Sequence, residues 1–349
     1  MDVAPRPRVA SVDAVRVGAI LAVIAIHTTP FEHAASPIGR SFDFATLLNQ
    51  ATRFAVPFFL VVAGYFWARK VAEAGELRAP TTRLVRRALL VWLAWSAIYL
   101  LPVNLFGALE QGALGPLKVI YWNAALVVKR PAIALLEGTS PHLWFLVALA
   151  FCAATSAVFM HFGLRRVLVV LAAVLYALGL AGQAYPDAPF GFHVDPAFRN
   201  GHLFALAFFV TGAWLQRRGA TAGWFPVGAV LALAGLLLHL LEVSLAHTMW
   251  GTPLERDYVA GTYLFGVGAA MVALSGTRRL GWQRVATLGP WVLGIYASHM
   301  VFVELLKPLD RRLTGSPLWE IAYPAAVFAL ALGATRLLAR FTRTRPIVI

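Results

Sequence analysis

SVDAVRVGAILAVIAIHTT, residues 11–29, decides how this chain is read. The stretch has the length and apolarity of a membrane-spanning helix, yet it carries Asp13, Arg16 and His27. At roughly 100° and 1.5 Å per residue, His27 returns to within about 20° of the face of Arg16, about 16 Å further along the axis. Asp13 lies one turn before Arg16 on nearly the same stripe. Ionisable side chains are expensive in hydrocarbon, so three on one face point to a polar cavity within a helix bundle rather than to lipid. The chemistry is expected on that stripe.

Composition extends the membrane reading to the whole chain. Of its 349 residues 60% are hydrophobic and only 13% charged, with a mean hydropathy of +0.72; soluble domains sit nearer half apolar and a quarter charged. Apolar runs near the spanning length of roughly 20 residues recur throughout. Ten are expected, at about 11–30, 46–68, 84–104, 141–162, 167–185, 201–216, 223–244, 258–275, 286–306 and 317–339. The stretch 105–140, broken by Gly112, Gly115, Pro116 and Pro131, is expected to hold short interfacial helices. The predicted class is therefore an all-α polytopic membrane protein, with residues 1–349 forming one membrane domain.

The loops set the orientation. With the N-terminus in the cytoplasm, nineteen Lys and Arg fall on cytoplasmic segments, nine on the opposite side and two, Arg16 and Arg53, within spans. A two-to-one bias repeated at successive loops follows the positive-inside rule and places both termini in the cytoplasm. The net charge of +14 is thereby explained by juxtamembrane pairs that meet anionic headgroups, and no nucleic-acid motif accompanies it. The first span is too polar, and lacks the small-residue cleavage site, for a removed signal peptide. The single cysteine, Cys152, sits in an apolar run and reads as a small buried hydrophobe. No small-xxx-small stripe singles out an oligomer interface.

Several polar residues compete for functional roles. TTRLVRRALLVW (81–92) opens the third span with Arg83, Arg86 and Arg87. Arg83 and Arg86 are three apart and share a face. They serve either as topological anchors or as a phosphate clamp, since Arg forks suit phosphate oxygens and a helix N-terminus adds N–H donors. Coenzyme A carries several phosphates and would reach such a clamp from the cytoplasm. GPWVLGIYASHMVFVELL (289–306) places His299 and Glu304 in the ninth span, where His299 lines the cavity of His27 or is a satisfied core histidine, and Glu304 meets substrate or pairs with Lys307. His142 and Trp144 stand at the outer mouth of the fourth span, and Arg199 and Asn200 open the sixth from the same side. All four either meet a polar substrate or anchor helix ends. Glu242 and His239, three apart, read as a structural hydrogen bond. No His pair at i, i+4 with a carboxylate marks a zinc site, so no metal is expected. Gly-rich nucleotide loops and a GxSxG elbow are also missing from the sequence.

Arg16-x10-His27, VPFFLVVAGYF (56–66), Arg83-x-x-Arg86, HLWFLVAL (142–149), RNGHLFALAFFVTGAWL (199–215) and LGIYASHMVFVELL (293–306) together resemble the membrane acyltransferase-3 family, in order and over essentially the full chain. The HLWF stretch is similar to the bacterial surface-polysaccharide O-acetyltransferase branch, including the enterobacterial common antigen type. The resemblance implies a multi-pass protein of the bacterial inner membrane that transfers an acyl group, usually acetyl from acetyl-CoA, to a hydroxyl of a glycan or lipid-linked sugar. It implies that His27 is the catalytic histidine, that Arg16 shares its motif, and that Arg83 and Arg86 serve the donor. The residues agree: neutral imidazole suits removal of a hydroxyl proton, or acceptance of the acyl group itself. Arg16 would hold donor phosphate or polarise the thioester, with Asp13 orienting it. His142, Trp144, Arg199, Asn200, His299 and Glu304 are the candidates for meeting the acceptor. Some relatives carry an extracytoplasmic hydrolase-like domain; since this chain ends at Ile349 without one, direct transfer is the simpler expectation. The competing class is transport, either polysaccharide export or small-molecule uptake, for which a polar stripe through a bundle would also serve.

Overall fold

The computed structural model describes residues 9–32, 43–193, 202–277 and 283–349. Every regular element among them is helical. The first half comprises α1 (Ala10–Thr28), α2 (Phe44–Ala51), α3 (Ala55–Ala74), α4 (Arg78–Tyr99), α5 (Leu105–Leu109), α6 (Gly115–Lys129), α7 (Pro131–Glu137) and α8 (Trp144–His161). The second comprises α9 (Arg165–Gly179), α10 (His202–Arg218), α11 (Trp224–Trp250), α12 (Gly261–Leu274), α13 (Gln283–Ala286), α14 (Val292–Leu313) and α15 (Pro317–Leu338).

Each of the ten expected spans meets a helix, and seven helical segments are by themselves long and apolar enough to cross a membrane. The others differ for local reasons. Arg78, Arg83, Arg86 and Arg87 load the first half of α4 with charge, while α10 and α12 have only 17 and 14 residues. The second span is broken at residues 52–54, where the Thr52 hydroxyl donates to Asn49 O at 2.6 Å and Arg53 turns onto Asn49. The stretch 105–140 forms α5 to α7, and α6 meets α7 at 104° across Arg130–Pro131, where proline cannot continue the ladder.

Burial separates the inner helices from the outer ones, α1 and the α2–α3 segment being equally enclosed. In α1 56% of the apolar window is enclosed, against 22% in α11 and in α15, whose remaining faces are left for lipid. Around α1 stand α3, α12, α14 and α15, and Ile20 and Ile24 are fully buried with Phe58 and Leu60. Its N-terminal turns are held by the Ser11 hydroxyl donating to Ala273 O at 2.7 Å. Its C-terminus stops at Thr29, a left-handed residue with φ 40°. Two turns later in space, α3 and α10 approach so closely that only glycine fits. A Cβ on Gly64 would lie 2.0 Å from Phe209 O, and one on Gly212 would lie 1.9 Å from Val61 O. Such small-residue contacts replace the hydrophobic effect, which cannot drive helix association inside lipid.

Replacing Gly212 by Leu is expected to force these helices apart, costing about 1–3 kcal/mol as overpacking commonly does. The melting temperature of the detergent-solubilised protein should fall by several degrees, and a variant melting like the wild type would contradict this packing.

Candidate active site

The polar stripe of α1 is divided between two environments. At its N-terminal end, Arg16 Nη1 lies 3.3 Å from Asp13 Oδ1, one turn away. Asp13 is buried against Gly289, where a Cβ would come within 2.6 Å of its carboxylate oxygen. The guanidinium also lies over the ring of Phe66, 5.7 Å from its centre. Arg16 faces a cavity of about 1020 Å³ that Lys70, Arg83 and Arg87 also line. Arg83 and Arg87 share a face at i, i+4 on α4. The sequence pairs Arg83 with Arg86, but Arg86 is exposed and not among the lining residues. The basic wall is therefore Arg83, Arg87 and Lys70, the last two unforeseen. A single step of 100° separates Arg86 from Arg87, and which of the two faces inward depends on the rotation of α4, which no local pattern sets.

The inner end of the cavity is aromatic. Phe59, Phe145 and Tyr296 line it, with ring centres 6.3 Å apart for Phe59–Phe145 and 5.6 Å for Phe145–Tyr296. Tyr296 continues to the other environment. Its hydroxyl donates to the backbone carbonyl of His142, and its ring stands 5.5 Å from the His142 ring.

There the structure brings three histidines together from distant parts of the chain. The His27 ring centre is 5.3 Å from His299 and 6.5 Å from His142, and His142 is 5.0 Å from His299. Their roles differ by what each nitrogen meets. His142 Nε2 lies 3.4 Å from Ala297 O, an obligate acceptor, so Nε2 carries the proton and Nδ1 accepts from Ser140 Oγ at 2.9 Å. Both nitrogens are thus engaged by the protein. His299 Nδ1 donates to Tyr296 O at 2.6 Å, which leaves Nε2 as an acceptor; it is buried and unpartnered. His27, by contrast, is only partly buried. The Tyr99 hydroxyl donates to Ala297 O at 2.8 Å and packs its ring 5.2 Å from His142, completing the wall.

The turn that ends α1 beside His27 is held by a residue no motif singles out. Glu320 at the start of α15 is buried, and its two oxygens accept from Phe31 N at 2.7 Å and Gly315 N at 3.0 Å. Phe31 has φ 69°, a costly backbone for an aromatic residue, and the carboxylate helps to fix it. Trp144 packs on Phe145 and Phe204, with ring centres 6.4 and 6.1 Å apart, rather than on the histidines. Glu304 pairs with Lys307 at 3.2 Å on an exposed face and is not brought to the cluster. Arg199 and Asn200 lie outside the described residues. Among the described residues no group of three or more His, Cys, Asp or Glu is arranged to hold a metal ion. His239 donates or accepts at Thr262 and Gln50, both at 2.8 Å, while Glu242 accepts from Gly261 N at 2.7 Å. They are therefore not bonded to each other as the sequence reading supposed.

Glu320→Ala removes charge-assisted bonds to backbone N–H groups, each worth about 1.5–3 kcal/mol. Amide exchange across residues 29–32 should accelerate at least tenfold, measured by mass spectrometry in detergent; unchanged protection would show that Glu320 does not hold the turn.

No solved structure matches the chain. It is 28% identical over 249 residues to a serine/alanine racemase of Enterococcus gallinarum, covering 68% of this chain and 33% of that protein. A similar match of 27% identity over 218 residues is to an amino-acid racemase of Enterococcus faecalis, covering 59% of this chain and 28% of that protein. The chain thus spans about a third of the length of the curated relatives it matches, and their names describe the whole proteins. The model of the acyltransferase-3 family, described as an acyltransferase domain, matches residues 9–336, and the chain belongs to that family of membrane acyltransferases.

Proposed function

We propose that this protein is an O-acetyltransferase of the bacterial inner membrane, moving an acetyl group from cytoplasmic acetyl-CoA to a hydroxyl of a surface glycan or lipid-linked sugar. The observation that carries the reading is that the cavity and the histidine cluster adjoin across one ring, Tyr296. A cavity walled by Arg16, Lys70, Arg83 and Arg87 runs inward to Tyr296, and Tyr296 abuts the cluster of His27, His142 and His299. Its volume of about 1020 Å³ lies at the upper end of ordinary ligand sites, about 300–1,000 Å³. That suits a donor as large as a coenzyme A thioester. Four cations at its wall, against the single carboxylate of Glu73 that Arg69 pairs with, answer the phosphates, and the apolar aromatic end suits the pantetheine arm and acyl group.

The residues divide the work. Arg83, Arg87 and Lys70 hold phosphate; Arg16, kept in place by Asp13, stabilises charge on the donor. His27 takes the proton from the acceptor hydroxyl as its oxygen bonds the acetyl carbon, the carbon–sulfur bond breaks, and the thiolate leaves toward the basic wall. General-base assistance of this kind contributes typically about 10²–10⁴-fold. His142, with both nitrogens committed to the protein, orients the cluster, and His299 Nε2 offers an acceptor to the bound hydroxyl or to His27.

A second reading, handling of a small amino acid by the membrane domain, is favoured by the racemase names of the two enterococcal relatives. Transfer of radiolabelled acetyl groups separates the two. His27→Ala should bind acetyl-CoA like the wild type but lose at least 100-fold in transfer, whereas wild-type protein that binds no acetyl-CoA would move the weight to transport. At the basic wall, Arg87→Ala should weaken acetyl-CoA binding about tenfold, and Arg86→Ala less than twofold, by titration calorimetry. Equal effects would return both arginines to topological anchoring.

A further inference from the structure

The cavity changes polarity along its length, and the helices that wall it measure that length. On α3 the lining residues Phe59, Ala63, Phe66 and Lys70 recur at helical spacing, one stripe from ring to ammonium. The axial distance from Phe59 to Lys70 is about 16 Å at roughly 1.5 Å per residue. On α4 the same change runs from Arg83 and Arg87 to Ala88 and Val91. On α1 it runs from Arg16 to Val23, with His27 one turn beyond Val23 and not among the lining residues.

The inner end is built as a stop. Three helices, α3, α8 and α14, bring one ring each to it: Phe59, Phe145 and Tyr296. Core rings such as Phe58, Phe208 and Phe209 are fully buried, whereas these three are partly buried and line the cavity. Each is braced. Phe59 packs on Phe58 with ring centres 5.3 Å apart, and Phe145 on Trp144 at 6.4 Å. The Tyr296 hydroxyl is tied to His142 O, and the His142 ring stands 5.5 Å from its own. The neighbouring lining residues on the same helices, Val56, Leu146 and Leu293, are aliphatic.

The chemistry of coenzyme A fixes which part of a donor meets that stop. Its phosphates all lie at the adenosine end, so phosphates on Lys70, Arg83 and Arg87 leave the nucleotide at the open, basic end. From pyrophosphate to sulfur the pantetheine arm has about a dozen bonds, which at the extension of a peptide backbone span about 15 Å. That matches the axial distance from Lys70 to Phe59. The sulfur therefore arrives at the rings, and the acyl group has only the space that they and Tyr296 leave. A nucleobase stacked on the rings is the competing occupant, but it would draw the phosphates into the apolar end and away from the four cations, at a large desolvation cost.

We infer that Phe59, Phe145 and Tyr296 select the acyl group by length and charge, admitting acetyl and excluding butyryl and succinyl. The inference rests on the acyltransferase reading, since coenzyme A must occupy the cavity. Two further methylenes would press on braced rings, in an interior packed densely enough for one to be felt. One methylene too many in an apolar pocket is commonly worth about 10–200-fold. A succinyl carboxylate would be buried among rings and aliphatic side chains without a cation. Arg16 stands over Phe66, about 10 Å along α3 from Phe59.

The test is titration calorimetry of the full chain in nanodiscs with free CoA, acetyl-CoA, butyryl-CoA and succinyl-CoA. Wild type should bind butyryl-CoA and succinyl-CoA at least tenfold more weakly than acetyl-CoA. Phe59→Ala and Phe145→Ala, on different helices, should each bring butyryl-CoA to within about threefold of acetyl-CoA. Each variant is read as a ratio of two ligands, so a general loss of packing does not mimic the result. Phe59→Leu and Phe145→Leu, expected to move the ratio in the same direction, replace an alanine variant that fails to fold. Butyryl-CoA or succinyl-CoA bound by the wild type as tightly as acetyl-CoA, or a butyryl ratio unmoved in both variants, would overturn the stop and leave the donor reading standing. A wild type that binds neither free CoA nor acetyl-CoA would remove the donor reading itself, and the stop with it.

Discussion

Burying a carboxylate and a guanidinium costs several kcal/mol per ion unless the partners meet, and Asp13 and Arg16 meet at 3.3 Å within one turn of α1. The rest of the bundle follows from sheltering that pair. The helix that carries it is among the most enclosed of the candidate spans. Gly289 gives up its side chain so that the start of α14 can press on the Asp13 carboxylate. The guanidinium, tethered by Asp13 and lying over Phe66, keeps its remaining surface toward the cavity rather than toward hydrocarbon. A buried ion pair gains little net stability; its effect here is to fix where a positive charge stands relative to the cavity.

Much of this was legible in the chain because membrane segments obey few rules. Apolar length located a helix at each expected span, seven helical segments among the described residues being long and apolar enough to cross a membrane by themselves, and the breaks at Gly112, Gly115, Pro116 and Pro131 marked the helices of 105–140. The Arg16–His27 stripe was readable because helical periodicity is local. What resisted reading was rotational or long-range. Nothing near Arg87 says that it rather than Arg86 faces the cavity, since both lie in one charged turn of α4. Tyr296 was accessible in principle, three residues before His299 and so on the same face. Glu320 was not, because its partners at Phe31 and Gly315 are contributed by a turn 289 residues away and a loop five residues away.

The two ends of the molecule solve opposite problems. Toward the basic loops the cavity is open, charged and large, which suits a polyanionic donor that arrives from water and leaves again. On the other side the 251–260 loop and the end of α9 form a tight network. Arg53 there bonds Asp257 at 2.8 Å and Asn49 at 2.6 Å, and His239 bridges Thr262 and Gln50. Those bonds tie α2, α11 and α12 together.

The histidine cluster shows how a helix bundle orients imidazoles without a carboxylate. Water-exposed catalytic histidines are commonly held in one tautomer by a carboxylate, but a carboxylate here would add another buried charge. Backbone carbonyls do the work instead: Tyr296 O fixes His299, and Ala297 O fixes His142. Both carbonyls belong to α14, which also supplies the Tyr296 ring that divides cavity from cluster. A small rotation of α14 would therefore shift two tautomer anchors and the dividing ring at once.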